Sequence, residues 1–337
     1  MKKILFIGGS LNQTTMMHQI SMHLNIRYDC WFTPYFADGL IGALTKKGYT
    51  DFTVLGGKFK SDTEKYLKVN RLKVDYKGKK NEYDLILTCS DLIIQKKLKS
   101  KKVILVQEGM TDPKNLFYYT SKYLGLPRYL ASTSTTGLSN SYDYFCVASD
   151  GYKKMFVKNG CDRGKIKVTG IPNFDNCRKY LKNNFSEKNY VLVCTSDIRE
   201  TYKYENRKKF IINAVRIADG KQIIFKLHPN EKVERALNEI KKYAPGSIVF
   251  SEGNTNEMIA NCDILITKYS SVVYVGLVLG KKVYSEFNMN KLNSLIPKQN
   301  NGKSSFNISR VCEHLINGVP EQIYDYEDSY AIPIPEF

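Results

Sequence analysis

The stretch Asp263–Ser285, DILITKYSSVVYVGLVLGKKVYS, decides how the chain is read. Asp263 to Thr267 is a short apolar run of the kind buried on both faces of a sheet. A polar knot follows, Lys268-Tyr269-Ser270-Ser271, and then an apolar run of helical length that stops at Gly280. Two lysines and a second short strand close the stretch. The order strand, turn, helix, strand is one unit of a parallel sheet. Ser270 and Ser271 fall on the first turn of the helix, where unpaired N–H groups and the helix dipole favour an anion. Serine also caps helices, which accounts for one hydroxyl better than for two.

The same alternation runs outward in both directions. Upstream, KKILFIGGS, YDLILTCSD, KKVILVQEG, YDYFCVASD and KIKVTGIP read as strands, and GYKKMFVKNGC as a helix ending at Gly160. The pattern restarts after a polar segment at residues 172–189. YVLVCTSD, KQIIFKLHP, SIVFSEG, DILIT and KKVYS are strands, with helices NRKKFIINAVRIAD and EKVERALNEIKKYA between them. Continuous apolar strands separated by helices predict α/β architecture with parallel sheets covered on both faces. The expected organisation is an N-terminal Rossmann-like domain over 1–175 and a C-terminal Rossmann-like domain over 185–310, facing across a cleft. A C-terminal helix and surface-lying tail are expected over 311–337.

A length of 337 residues suits two domains, and 42% hydrophobic with 12% aromatic residues suits an ordinary globular chain. The eight cysteines form no CxxC pair, so they read as small buried hydrophobes rather than a metal or redox motif. Only four apolar residues precede the first glycines, too few for a signal-peptide core, and no apolar run spans a bilayer. A cytoplasmic protein is expected. The net charge of +18 is lopsided: residues 1–180 hold 30 Lys/Arg against 15 Asp/Glu. A basic half attracts anionic surfaces, so peripheral attachment at the inner membrane face is expected. Nucleic acid and a phosphorylated substrate are the other anions to weigh, and a solvated lysine-rich surface is the plain alternative. Phe59–Lys80 interleaves aromatic and basic residues, but no nucleic-acid-binding motif supports that partner.

In an open parallel sheet, ligands bind beyond the carboxyl ends of the strands, so the residues following each strand are the site candidates. After the first strand, Gly8-Gly9-Ser10 lacks the GxGxxG pattern, yet Gly9 lets backbone amides approach a ligand, with Ser10 beside it. After KKVILV, Glu108 lies between Gln107 and Gly109, placed to accept a proton from an attacking hydroxyl. An N-cap or a lysine partner would use the same carboxylate. Lys226-Leu227-His228-Pro229 follows another strand; Pro229 holds His228 extended, and its imidazole can donate to a phosphate oxygen with Lys226 adding charge. The other histidines, His18, His23 and His314, read as surface or packing residues. Thr195 and Ser196 end a third strand, and Glu257, in Asn254-Thr255-Asn256-Glu257, is a candidate for ribose hydroxyls or half of a capping box. There is no P-loop and no DxD, so no metal site is expected.

KLHP followed by CDILITKYSSVVY resembles the HP and SS motifs of GT-B fold transferases that build bacterial surface polymers. These comprise CDP-glycerol glycerophosphotransferases, sialyltransferases and capsule Kdo transferases. VASDGYKKMFVKNG with KIKVTGIPNFD resembles the end of their N-terminal domain and is also similar to UDP-GlcNAc 2-epimerases. The resemblance implies that His228, Ser270 and Ser271 hold the donor phosphate. It implies that Glu108 stands where sialyltransferases carry their base and where glycerophosphotransferases carry a histidine-glycine pair, which this chain lacks. YSSVVYVG departs from the epimerase loop.

The expectation is an inverting, metal-independent glycosyltransferase. Its co-substrate is a nucleotide-activated sugar, CMP-linked, with no resident cofactor, and its acceptor is a surface glycan or lipid-linked glycan. A 2-epimerase and a CDP-polyol phosphotransferase are the alternatives.

Overall fold

The computed structural model describes residues 1–51, 53–96, 100–201, 204–319 and 323. The tail at 324–337 lies outside them. The chain forms two compact units, the first from Met1–Asn176 and the described residues from Pro297 onward, the second from Cys177–Ile296.

The first unit holds six parallel strands: β1 Lys3–Gly8, β2 Asp29–Pro34, β3 Leu85–Thr88, β4 Lys102–Val106, β5 Tyr144–Val147 and β6 Ile166–Val168. They lie in the order β2-β1-β3-β4-β5-β6. Ile4 to Ile7, Leu85 to Leu87 and Val103 to Val106 are buried throughout, as continuous apolar strands must be when helices cover both faces. Each such side chain contributes about 1.5–3 kcal/mol on leaving water. The strand β2, DCWFTP, has no such run; its first half is only half-buried at the sheet edge, and the sequence reading passes over it.

The second unit holds five parallel strands: β7 Val191–Cys194, β8 Ile223–Lys226, β9 Ile248–Phe250, β10 Ile264–Thr267 and β11 Lys282–Tyr284. Their order is β11-β10-β7-β8-β9. The helix Arg207–Ala218 lays Phe210, Ile211, Ala214 and Ala218 on Val191, Val193 and Phe225. Asn206 starts this helix by accepting from Lys209 N at 2.9 Å, and Asp219 ends it in the left-handed conformation.

Two α/β units with parallel sheets are what the strand pattern predicts, but the chain divides differently. The domain expected at 185–310 ends at Ile296, and Ser304–Asn317 belongs to the first unit rather than forming a separate C-terminal piece. Its apolar stripe, Ile308, Val311, Cys312 and Ile316, needs cover. It finds that cover beside the helix Leu11–Met22, where His23 Nε2 meets Ser305 Oγ at 3.1 Å and Arg27 pairs with Glu313. All eight cysteines are free; seven are buried and Cys30 is half-buried.

Both sheets reverse strand order next to their first strand, between β1 and β3 and between β7 and β10. Such a switch point opens a crevice at the carboxyl edge.

Candidate active site

In the second unit the register sets the site. Thr267, Cys194 and Lys226 stand side by side at the ends of β10, β7 and β8. The residues that follow them therefore leave one edge: Lys268–Ser271, Thr195-Ser196 and Leu227-His228. The first and last groups are two strand spacings apart, about 10 Å of backbone.

His228 opens a turn that Pro229 favours. Glu231 N donates to His228 O at 3.0 Å, and His228 N donates to Thr195 Oγ1 at 3.1 Å. Asn230 N donates to Nδ1 of His228 at 3.2 Å. An accepting Nδ1 puts the proton of the neutral ring on Nε2, so Nε2–H is the donor available to a ligand. Asp197 Oδ2 stands 3.6 Å from Nδ1 and accepts from Asn230 Nδ2 at 3.1 Å.

Ser270 and Ser271 are half-buried at the start of the helix Val272–Val278. Ser270 Oγ accepts from Val272 N at 3.4 Å; Ser271 occupies the cap position yet makes no side-chain cap bond. One hydroxyl thus caps the helix and the other does not.

Four of the expected ligand groups, Thr195, Ser196, Lys226 and Glu257, are engaged with the protein. Thr195 Oγ1 accepts from His228 N and donates to Glu231, and Ser196 Oγ donates to Glu205 at 3.2 Å. Lys226 is buried, and its ammonium donates to Leu227 O at 2.9 Å and Ser251 O at 3.1 Å. Burial holds its pKa below the usual lysine range. Its charge serves the neighbouring strand end, not the position beyond His228. Glu257 lies in the first turn of the helix Thr255–Asn261 and accepts from the side-chain amide of the N-cap Asn254 at 2.8 Å, bracing the cap without reaching its backbone N–H as a capping box does.

Beneath the edge lies a group of ions that no local motif signals. Arg207 Nη2 stands 2.6 Å from Glu231 Oε1 and 2.9 Å from Glu205 Oε2, with all three side chains buried. Arg207 also donates to Ser196 O at 2.9 Å, and Arg199 ties Glu239 at 2.7 Å. Lys268 stands 3.8 Å from Glu205 and 3.1 Å from Glu286. Glu231 fixes Thr195, which fixes the His228 backbone; Glu205 fixes Ser196.

In the first unit Glu108 follows β4. Ser10 Oγ donates to its Oε1 at 3.0 Å and Gln13 Nε2 to its Oε2 at 2.6 Å. Ser10 is at the same time the N-cap of Leu11–Met22, accepting from Gln13 N at 3.2 Å. Burial pushes the Glu108 carboxyl above its usual range, against the two hydrogen bonds, and the same carboxylate helps hold the buried Cys89 thiol up. Gly9 is buried, and its N–H donates to Gln13 Oε1 at 2.8 Å rather than facing a ligand. A Cβ on Gly9 would fall 2.9 Å from Val54 Cβ and 3.0 Å from Tyr35 Cβ, so only glycine lets the loop pass. Gln107 Oε1 accepts from Ala148 N at 2.9 Å, so it holds the loop and leaves Glu108 as the acid of the turn. Glu108 is the N-cap partner's anchor, not a lysine partner.

Of the histidines read as surface or packing residues, His18 Nδ1 meets Tyr66 Oη at 3.0 Å and His23 meets Ser305 as above. His314 Nδ1 lies 2.7 Å from Val319 O. Among the described residues, no helix is long and apolar enough to cross a membrane.

Two parallel-sheet units with polar groups gathered at the strand-order reversals define the GT-B class of α/β enzymes. Residues 58–284 match the family CDP-glycerol:poly(glycerophosphate) glycerophosphotransferase. The chain belongs to this family and is a transferase. No curated protein matches it in sequence. Solved structures show the same fold. The S. aureus MnaA–UDP co-structure aligns with TM-score 0.60 and 14% identity over 97% of this chain and 100% of that one. UDP-N-acetylglucosamine 2-epimerase from Rickettsia bellii aligns with TM-score 0.56 and 11% identity over 95% and 98%. The wall teichoic acid polymerase TagF, solved with CDPG, aligns with TM-score 0.51 and 13% identity over 94% and 89%.

Proposed function

We propose that the chain is a metal-independent transferase that takes a cytidine-nucleotide donor and moves a sugar, with inversion, onto a surface-glycan or lipid-linked acceptor on the cytoplasmic side of the membrane. The observation that carries the donor half is the register of β10, β7 and β8, which gathers His228, Ser270 and Ser271 at one edge beside a switch point. Nε2–H of His228 and the serine hydroxyls supply hydrogen bonds to a leaving phosphate without the desolvation cost of another charge.

Glu108 is the proposed base. A carboxyl raised by burial is a stronger base once ionised than a solvated one. It would take the acceptor hydroxyl proton as that oxygen attacks the anomeric carbon and the anomeric C–O bond to CMP breaks. The transition state of such a transfer resembles an oxocarbenium ion, which a carboxylate attracts.

The family match favours a second reading, transfer of a polyol phosphate from a CDP-polyol. There the bond broken lies between the two phosphates, and the reacting centre is anionic. A carboxylate in place of the histidine-glycine pair repels such a centre, which is why sugar transfer stands first. Both reactions release CMP, so its release alone does not distinguish them. The deciding experiment supplies CMP-sugar or CDP-glycerol with a glycan acceptor and follows the products by 31P NMR. New phosphodiester in the polymer would favour the phosphotransferase; CMP release with the sugar, and no new phosphorus, joined to the polymer would favour the glycosyltransferase. A thermal-shift panel of CMP, CDP, UMP, UDP and GDP precedes it, since binding stabilises by mass action. Preference for UDP, with UDP-GlcNAc consumed in the absence of acceptor, would replace both readings by the epimerase.

A further inference from the structure

The edge that gathers His228 and the two serines has two flanks, and they differ in what they present. On the β8–β9 flank the polar groups are spent inside the protein: Lys226 on the carbonyls of Leu227 and Ser251, and Glu257 on the Asn254 amide. On the β10–β11 flank, side chains of several kinds reach solvent together. The strand β11 runs beside β10 with Tyr284 opposite Ile266, so the residues that follow, Lys268-Tyr269 and Glu286-Phe287, leave the sheet side by side. Ser285 ties the two segments: its Oγ donates to Lys268 O at 2.6 Å and accepts from Phe287 N at 3.3 Å.

The tie builds an aromatic corner with a carboxylate beside it. The Tyr269 and Phe287 rings lie 4.9 Å apart at 82°. Tyr269 stays 45% exposed, although so large a ring gains from burial. Glu286 Oε1 stands 3.1 Å from Lys268 Nζ, and its side chain is 47% exposed against 13% for the lysine. The lysine is anchored from below, 3.8 Å from Glu205 and 5.6 Å from the Phe210 ring. An ion pair this open adds little stability, but it fixes where the carboxylate stands. Partial burial, and after it the neighbouring Glu286, raise the pKa of the Tyr269 phenol, which places ring and carboxylate next to each other.

We propose that Tyr269, Phe287 and Glu286 form the subsite for the hydroxyl-bearing group that the donor transfers, a sugar ring or a polyol chain. Rings close to a right angle offer two walls to the C–H faces of a non-planar group, whereas a flat nucleobase stacks on one face. An ionised carboxylate only accepts, has room for two hydroxyl donors, and makes stronger hydrogen bonds than a neutral acceptor. Tyr269 immediately precedes Ser270, so a group attached to a phosphate held by the serines lies within reach of the corner. The proposal deepens the transferase reading by naming what its donor site recognises, and it rests on that reading.

Calorimetry with the full chain compares each donor with its bare nucleotide: CDP-glycerol and CDP-ribitol with CDP, and CMP-N-acetylneuraminate with CMP. Wild type is expected to bind one donor type about 10-fold or more tightly than its nucleotide. Preference for the CDP-polyols assigns the corner to a polyol and preference for the CMP-sugar assigns it to a sugar ring; either result supports the subsite. Glu286→Gln and Tyr269→Ala should each lower that preference about 3–10-fold, with the bare nucleotide bound as by wild type. Tyr269→Phe keeps the ring and should lose less than about 2-fold. Unchanged binding of the bare nucleotide also shows that each variant is folded. No preference in wild type, or a preference that survives Glu286→Gln or Tyr269→Ala, would overturn the proposal. Equal losses on donor and nucleotide would also overturn it, assigning the corner to the nucleoside. Wild type that binds neither CMP nor CDP would strike the transferase reading itself, and the proposal with it.

Discussion

The carboxyl edges of the two sheets share a topology and differ in equipment. Beyond β4 stands the carboxylate Glu108, braced by the hydroxyl of Ser10 and the amide of Gln13, and beyond β3 stands Asp91, paired with Arg128. Beyond β10, β7 and β8 stand an imidazole and two serines, braced from below by Arg207, Glu205 and Glu231. One edge keeps an unpaired carboxyl, Glu108, in a place that raises its pKa; the other confines its ion pairs below the surface and offers hydrogen-bond donors above. The first suits proton abstraction and the second suits holding an anion. A fold supplies the edge, and the residues after each strand decide what it does.

The largest expected effect breaks the first edge. Glu108→Gln keeps the shape; its amide oxygen can still accept from Gln13 Nε2 and its amide nitrogen can donate to Ser10 Oγ, but the proposed base is gone. Turnover, read as CMP release, should fall about 10^2–10^4-fold with CMP affinity unchanged. Turnover close to wild type would remove Glu108 from the chemistry.

The next breaks the second edge from beneath. Arg207→Met leaves Glu205 and Glu231 buried without their closest cation, which costs about 3–5 kcal/mol. Denaturant unfolding should show that loss in the transition of the second unit. A loss below about 1 kcal/mol would mean that Arg199 and Lys268 compensate, and that Thr195 and Ser196 are fixed by other means.

A smaller effect separates the two serines. Ser271→Ala should weaken CMP binding about 3–10-fold, because Ser271 makes no side-chain cap bond and its hydroxyl is left for the ligand. Ser270→Ala should lower stability instead, by about 0.5–1 kcal/mol, through its lost bond to Val272 N. Equal effects on both readouts would erase the distinction.

The smallest is a pH linkage that belongs to the first edge alone. Folding raises the Glu108 pKa, so the folded protein binds a proton that the unfolded chain has released. That contribution is full below the ordinary glutamate pKa, about 4.3, and is lost as pH rises through the folded value. Glu108→Gln should therefore be more thermostable than wild type at neutral pH, with the difference vanishing in acid. The activity of the wild type should rise with pH through that same folded value. A wild type that is the more stable of the two at neutral pH would contradict burial as the cause of the shift.

The sheets were legible because their strands are unbroken apolar runs, and strand ends point to the edge where ligands bind. The strand β2 was not, because an edge strand half in water needs no such run. Glu108 and His228 could be found from position alone, whereas Gln13 could not, since it reaches Glu108 from a helix 95 residues away. The partners of Lys226 were not legible for a local reason: it is the last residue of β8, and its side chain turns to the carbonyls of Leu227 and Ser251. Arg199, Arg207, Glu205, Glu231 and Lys268 meet only once β7, β8 and β10 are side by side. No spacing in the chain announces that.

The claim on which the account turns is that the second edge grips a nucleotide by its phosphate. Calorimetric titration of wild type and His228→Ala with CMP and with cytidine measures it. The account predicts that wild type binds CMP about 100-fold more tightly than cytidine, and that His228→Ala loses about 10-fold or more of that preference with cytidine unaffected. Equal affinities for CMP and cytidine in wild type, or a preference untouched by the substitution, would contradict it.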